Sequence, residues 1–351
     1  MSGKRLYRYD VIRALAIVMV VGVHCIPAKT APLLGPVSCR SYNEACKTLF
    51  FTCNALFFLL SGRFNMRELG EDEYTRYYYR RVRGVLLPTL IYLFIYTVVG
   101  PYSTSGSILH IAKVFVLNSL GELSHGIFWF VFSLFGMLLI APFIASTFVR
   151  MGRNGQRWFL GLWFFVATLT YLSKCLEFDY SWSFPLGGFA SFFCAGAFIE
   201  HSELNDLSTK TLITVGVAAW VSNMLLAYFG WSNGAYDWSP IYALTAVCLY
   251  LVLLRVPIPE DGALTRAISF VASQSFGIYL MHWLVFKMIS PYFSPLQSMW
   301  GPLYHVCLSA CVFALGLLLA VASDYLLVKP LQRLMDATAG KLVLGRTEKV
   351  G

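Results

Sequence analysis

The chain has 351 residues, of which 58% are hydrophobic, 16% aromatic and only 13% charged. That balance is too apolar for ordinary soluble domains and points to an all-α polytopic membrane helix bundle. The net charge of +9 does not point to nucleic acid, because the basic residues gather in no single arm and no nucleic-acid motif is present.

Ten candidate spans begin near Val11, Lys47, Gly84, Phe128, Trp158, Pro185, Thr211, Pro240, Ala267 and Leu303. Each runs about 16–25 residues, enough to cross a hydrocarbon core of about 30 Å. The first, within "RYDVIRALAIVMVVGVHC" (Arg8–Cys25), reads as a span and not as a cleaved signal peptide, since Arg13 interrupts its apolar run. Arg13 and His24 are eleven residues apart, which at about 100° per residue returns to within about 20° of the same face, some 16 Å further along the axis. Asp10 lies one turn before Arg13. In the loop that follows, Cys39 and Cys46 are open to either fate, a disulfide in an oxidising compartment or two free thiols.

The second span sets Asn54 and Ser61 on one face, seven residues apart. The connection Phe64–Gly84 combines acidic residues, a tyrosine cluster and a cationic end with Arg80, Arg81 and Arg83. "SILHIAKVFVLNSL" (Ser107–Leu120) is apolar but short and reads as an outer interfacial helix. "FWFV" (Phe128–Val131), with Trp129, opens the fourth span. In the ninth, "SQSFGIYLMHW" repeats Ser275, Tyr279 and His282 at intervals of four and three, one helical stripe.

With both termini cytosolic, most of the 27 basic residues fall on inner segments, including Lys4, Arg5, Lys341, Arg346 and Lys349. The outer side keeps only Lys29, Arg40, Lys47, Lys113, Lys174 and Lys287, as the positive-inside tendency requires. Residues 1–330 then form one transmembrane domain and 331–351 a basic cytosolic tail.

A charge at a helix centre costs about 2.5–3.5 kcal/mol on insertion scales. Arg13 can escape that cost by snorkelling or by pairing with Asp10. His24 lies deeper, and His282 falls at a similar depth on its own span. Three polar stripes imply a polar cavity lined by Asn54, Ser61, Trp129, Ser275 and Tyr279. A histidine there can take a proton from a hydroxyl, and arginines at the cytosolic mouth can hold phosphates. An acyl donor with phosphates at one end and a thioester at the other fits that axis. No Gly-rich phosphate loop, G-x-S-x-G elbow or HExxH zinc motif competes, and no metal is expected.

These motifs, in this order, resemble acyltransferase family 3 of integral membrane O-acyltransferases, in size and style nearest the enterobacterial common antigen O-acetyltransferase type. The resemblance rests on Arg13 and His24, "FFLLSG" at Phe57–Gly62, Arg80 and Arg83 followed by "LLP", "FWFV" and "SFGIYLMHW". It implies ten spans and an acyl-CoA donor, acetyl-CoA foremost, entering from the cytosol. The acyl group would pass to a hydroxyl of a cell-surface or lipid-linked glycan at the bacterial cytoplasmic membrane. Arg13 and His24 would be active-site residues, His282 a further catalytic candidate, and Arg80 with Arg83 donor-binding. Arg63, directly after "SG", has no role in that pattern. The competing reading is a transporter or flippase of a polar small molecule or glycolipid, since intramembrane His and Arg also mark substrate pathways.

Overall fold

The apolar runs fold as helices. The computed structural model describes residues 7–34, 36–99, 103–121, 123, 126–176, 188–231, 239–259 and 262–340. In chain order the elements are α1 (Tyr7–His24), an antiparallel pair of short strands β1 (Pro32–Leu34) and β2 (Val37–Ser38), α2 (Arg40–Phe50), α3 (Thr52–Asn65), α4 (Glu73–Arg81), α5 (Leu87–Val98), α6 (Ile108–Leu120), α7 (Trp129–Arg150) and α8 (Gly152–Cys175). Then follow α9 (Phe189–Phe198), α10 (Thr209–Phe229), α11 (Pro240–Leu254), α12 (Ala263–Ile289), α13 (Ser294–Met299), α14 (Gly301–Ser323) and α15 (Lys329–Met335).

Among the described residues, six helical stretches are long and apolar enough to cross a membrane: Arg40–Asn65, Glu73–Val98, Trp129–Arg150, Thr209–Phe229, Ala263–Met299 and Gly301–Gly340. The protein is an all-α membrane protein. The other four predicted spans also meet helices, but α1 carries Arg8, Asp10 and Arg13, α8 opens on a polar stretch with Arg153 and Arg157, and α9 and α11 have only 10 and 15 residues. The predicted start at Pro185 and the basic residues Lys4, Arg5, Lys341, Arg346 and Lys349 lie outside the described residues.

Two boundaries differ from expectation. The second helical stretch starts at Arg40, ahead of Lys47, because the polar residues Asn43, Glu44 and Thr48 are buried and bonded there. The collar before the third span is itself helical. It runs through α4 and a π-helical turn at Val82–Leu86 into α5, since Tyr77 and Tyr79 bury against the protein and extend the helix beyond its apolar part. The segment expected to be an interfacial helix forms α6, capped by Ser107, whose hydroxyl accepts from the His110 N–H at 3.3 Å.

The chain divides into two compact units. The first comprises Met1–Phe64, Arg150–Ser275 and Tyr292–Cys311. Its helix starts follow serine caps: Ser208 accepts from Thr211 N and Ser239 from Tyr242 N, each at 3.0 Å, with Pro240 next to the second cap. Gly230, at φ 81°, closes α10 in the left-handed conformation that glycine adopts without strain. Arg40 donates to the Tyr228 carbonyl at 2.6 Å, satisfying one of the carbonyls that the end of α10 leaves over. Ile12, Ile17, Leu56, Phe58, Phe192 and Phe193 are fully buried in this unit.

Gly62 and Gly196 let α3 and α9 touch backbone to backbone. A Cβ on Gly62 would overlap the Phe193 carbonyl, and one on Gly196 the Leu59 carbonyl. Small residues serve this purpose where apolar burial gives helices in lipid no drive to associate. The glycine of "FFLLSG" is therefore a packing requirement. Gly62→Ala should destabilise detergent-purified protein by about 1–3 kcal/mol or more, as overpacking does. Gly136→Ala, where a Cβ meets nothing within 4 Å, should be neutral or stabilising by about 0.5–1 kcal/mol. Equal melting of the two variants would contradict the close crossing.

The second unit comprises Asn65–Val149, Phe276–Pro291 and Val312–Gly351. Pro142 lies inside α7 and has no N–H to give to the carbonyl one turn back, that of Leu138. Tyr77 supplies the missing donor, its hydroxyl reaching the Leu138 oxygen at 2.7 Å, and Tyr78 reaches the Leu139 oxygen at 2.9 Å. The tyrosine cluster of the collar thus repairs a proline break. Gly277 of "SFGIY" is hemmed in by Ala320 and the Tyr92 hydroxyl, which a Cβ would meet at 2.9 and 3.0 Å.

Candidate active site

α1 places its polar groups by turn. Asp10, in the first turn where a carboxylate suits the helix dipole, is buried and accepts from the Ser269 hydroxyl at 2.9 Å. Arg13 pairs with it at 3.7 Å, and its guanidinium lies over the Phe64 ring, 5.3 Å from the centroid. The Arg13 side chain keeps 38% of its surface open, so the Asp10 pair orients a cation that remains accessible. At the other end of α1, Val21, Gly22 and Cys25 are buried while His24 is exposed. His24 is the exposed side chain of that turn.

Arg63 finds its role in the first unit. Its Nε lies 3.1 Å from a carboxylate oxygen of Glu200, whose side chain is 8% exposed. The same carboxylate accepts from the Tyr9 and Tyr250 hydroxyls, each at 2.8 Å. Buried acids persist in proteins when so paired. This cluster ties α1, α3, α11 and the turn after α9 together one helical turn from Arg13.

The turn after α1 is anchored from α2 and α14. Asn43 donates to the Pro27 carbonyl at 2.8 Å and Glu44 pairs with Lys29 at 3.0 Å. The buried His305 bonds the Gly22 carbonyl at 2.8 Å and the Tyr42 hydroxyl at 2.7 Å. Cys39 and Cys46 are both free thiols. Cys39 is fully buried, its Sγ 3.4 Å from the Pro32 carbonyl, and burial pushes its thiol pKa up from the ordinary value.

Asn54 is buried on α3, its carbonyl oxygen accepting from the Cys53 thiol at 3.8 Å, and Ser61 is half-buried on the same helix. Ser275 is buried too, but its hydroxyl donates at 2.8 Å to the Ala272 carbonyl of its own helix. A serine bonded back in this way contributes little to a cavity wall.

The second unit holds the other candidates. Tyr279 is buried, donates to the Ile127 carbonyl at 3.2 Å and packs against Phe130 and His282, with ring centroids 5.3 and 5.5 Å away. His282 is 2% exposed, and its Nδ1 bonds the Tyr279 carbonyl. Trp129 lies edge-on to Phe130 at 6.0 Å.

Arg80 and Arg83 part company. Arg83 sits in the π-helical turn and forks onto Asp336, Nε to Oδ1 at 2.7 Å and Nη2 to Oδ2 at 2.8 Å. Tyr79 donates to the same carboxylate at 2.7 Å, and Gln332 donates to the Arg83 carbonyl at 3.0 Å. Arg80 is exposed and faces a cavity of about 260 Å³ lined by Arg67, Glu73, Arg76, Tyr77, Arg80 and Arg81. Arg67 pairs with Glu73 there at 3.4 Å, which leaves three of the four guanidinium charges uncompensated by that carboxylate. Such a basin suits an anion with several oxygens. Among the described residues no three His, Cys, Asp or Glu side chains form a group that could hold a metal ion.

Sequence reasoning passed over Glu200, His305, Tyr42 and Asp336. Glu200 left a signal, an acid at the end of an apolar run in a chain where Arg63 lacked a counter-charge. The others left none, because their partners are remote in sequence.

Residues 6–322 match the family model for the acyltransferase domain of acyltransferase family 3. No curated protein and no solved structure matches the chain. The family match runs from the start of α1 into the last turns of α14 and takes in Arg13, His24, the arginine-rich collar and the α12 motif, so the chain belongs to acyltransferase family 3 and is a membrane acyltransferase.

Proposed function

We propose that the protein is an O-acetyltransferase of the type that modifies enterobacterial common antigen, moving an acetyl group from acetyl-CoA to a hydroxyl of a cell-surface or lipid-linked glycan. The proposal includes ten spans, cytosolic termini and residence in a bacterial cytoplasmic membrane. The observation that carries it is His24, exposed at the end of the helix that also bears Arg13, in a chain of this family.

In the reaction His24 takes the proton of the acceptor hydroxyl as its oxygen attacks the thioester carbonyl. The tetrahedral intermediate collapses with cleavage of the C–S bond, and the CoA thiolate leaves and recovers the proton from His24. Distance constrains the role of Arg13. Eleven residues of helix separate it from His24 by about 16 Å along the axis, and oxyanion stabilisation needs donors within about 3 Å. Arg13 therefore grips a more distant part of the donor. The phosphates of CoA fall to Arg80 and its neighbours in the basin, since the fork of Arg83 is engaged by Asp336.

Thermal unfolding of detergent-purified protein with and without CoA tests the donor. A ligand at about 100 times its Kd stabilises the native state by about 2.7 kcal/mol. Arg80→Ala should lose most of that shift. Arg83→Ala should keep most of it and leave the melting temperature nearly unchanged, because the Arg83 and Asp336 side chains are 35% and 41% exposed and water screens such a pair. Equal CoA response in wild type and Arg80→Ala would remove the basin from the mechanism. Mass spectrometry of surface glycans with and without the chain identifies the acceptor, and glycans unchanged in acetylation would overturn the assignment.

A further inference from the structure

A third histidine stands behind the first. His305, near the start of α14, is 4% exposed and uses both ring nitrogens. Its Nε2 lies 2.8 Å from the Gly22 carbonyl, which can only accept, so Nε2 carries the proton. In that tautomer Nδ1 accepts from the Tyr42 hydroxyl, 2.7 Å away. The Gly22 carbonyl belongs to the last turn of α1, two residues before His24, where helix carbonyls lack intrahelical partners. That oxygen also takes the Cys25 N–H at 3.1 Å, so the turn carrying His24 is tied both to the following chain and to α14. Gly22 has no Cβ to hold its place, and one would meet the Phe50 ring at 2.9 Å. The Phe50 ring lies 5.9 Å from that of His305.

We propose that His305, oriented by Tyr42, is the positioning residue for His24. It clamps the end of α1 through the Gly22 carbonyl and so aims the imidazole that abstracts the proton. The inference rests on the reading of His24 as the base. A displacement of about 1 Å at a reacting group can cost about 10²-fold in rate, and a frayed final turn allows at least that.

Two substitutions of similar polarity separate the roles. In His305→Gln the side-chain amide nitrogen stands where Nε2 stood and keeps the bond to Gly22. In His305→Asn the shorter side chain can still accept from Tyr42 but cannot reach the carbonyl. His305→Asn should lose about 10²-fold in kcat with donor KM and the CoA-induced thermal shift unchanged, and His305→Gln should remain close to wild type. Hydrogen exchange should quicken at residues 21–25 in His305→Asn alone. Wild-type kcat in His305→Asn, or parallel loss of kcat, melting temperature and CoA binding in both variants, would overturn the clamp. A wild-type protein that transfers no acetyl group would instead fail the proposed reaction. The exchange measurement still decides the clamp in that case, because it reads the α1 terminus directly.

Discussion

His24→Ala should lower acyl transfer by at least the 10²- to 10⁴-fold typical of a positioned general base, with CoA binding nearly intact. The expectation follows from the proposed division of roles: His24 acts on the acceptor hydroxyl, whereas the phosphates are assigned to the arginines that line the cavity beside α4. A histidine needed only for packing would lower melting temperature and activity together, whereas the side chain of His24 is exposed. Steady-state kinetics with acetyl-CoA, read beside CoA-dependent thermal stabilisation, distinguishes the cases: kcat and kcat/KM should fall together while the thermal shift persists. A folded His24→Ala protein with near wild-type turnover would sink the mechanism and make His282 the next base to test.

The largest effect on stability should come from the Glu200 cluster. Arg63→Met leaves a carboxylate with an 8% exposed side chain facing two tyrosine hydroxyls, its direct ion-pair partner gone and Arg8 reaching only the Tyr9 oxygen, at 3.4 Å. Removing one partner of a buried pair costs roughly 3–5 kcal/mol, much of it the uncompensated charge. Adding Glu200→Gln to Arg63→Met should recover most of the loss, because the amide oxygen still accepts from Tyr9 or Tyr250 and no charge remains. Denaturant or thermal unfolding of the two singles and the double completes the cycle. If Arg63→Met melts like wild type, or if the double is no more stable than the worse single, the cluster does not hold the unit together.

Several features were legible because they are local. A run of apolar residues long enough to cross lipid must satisfy its backbone internally, and a helix is the solution within one segment. For that reason the predicted spans reappear as helices. The shared face of Arg13 and His24 follows from the 3.6-residue period alone, and Ser107, Ser208 and Ser239 mark helix starts by chemistry confined to the next three residues. Even the cationic collar could be picked out, although not its division of labour.

What the sequence determined by itself is therefore the helical membrane class, the placing of Arg13 and His24 along one face, and the family motifs. Only the tertiary structure decided which polar groups serve the fold and which stand open to a ligand. Arg80 and Arg83 look alike in "RRVR", but Asp336, 253 residues from Arg83, engages one and leaves the other exposed. Ser275 looks like a cavity residue by spacing, yet its hydroxyl bonds within its own helix. His305 carries no motif at all, because its meaning lies in a carbonyl 283 positions away. A side chain's periodicity gives its direction from its own helix, whereas its hydrogen-bond partner depends on which distant segment the fold brings within 3 Å.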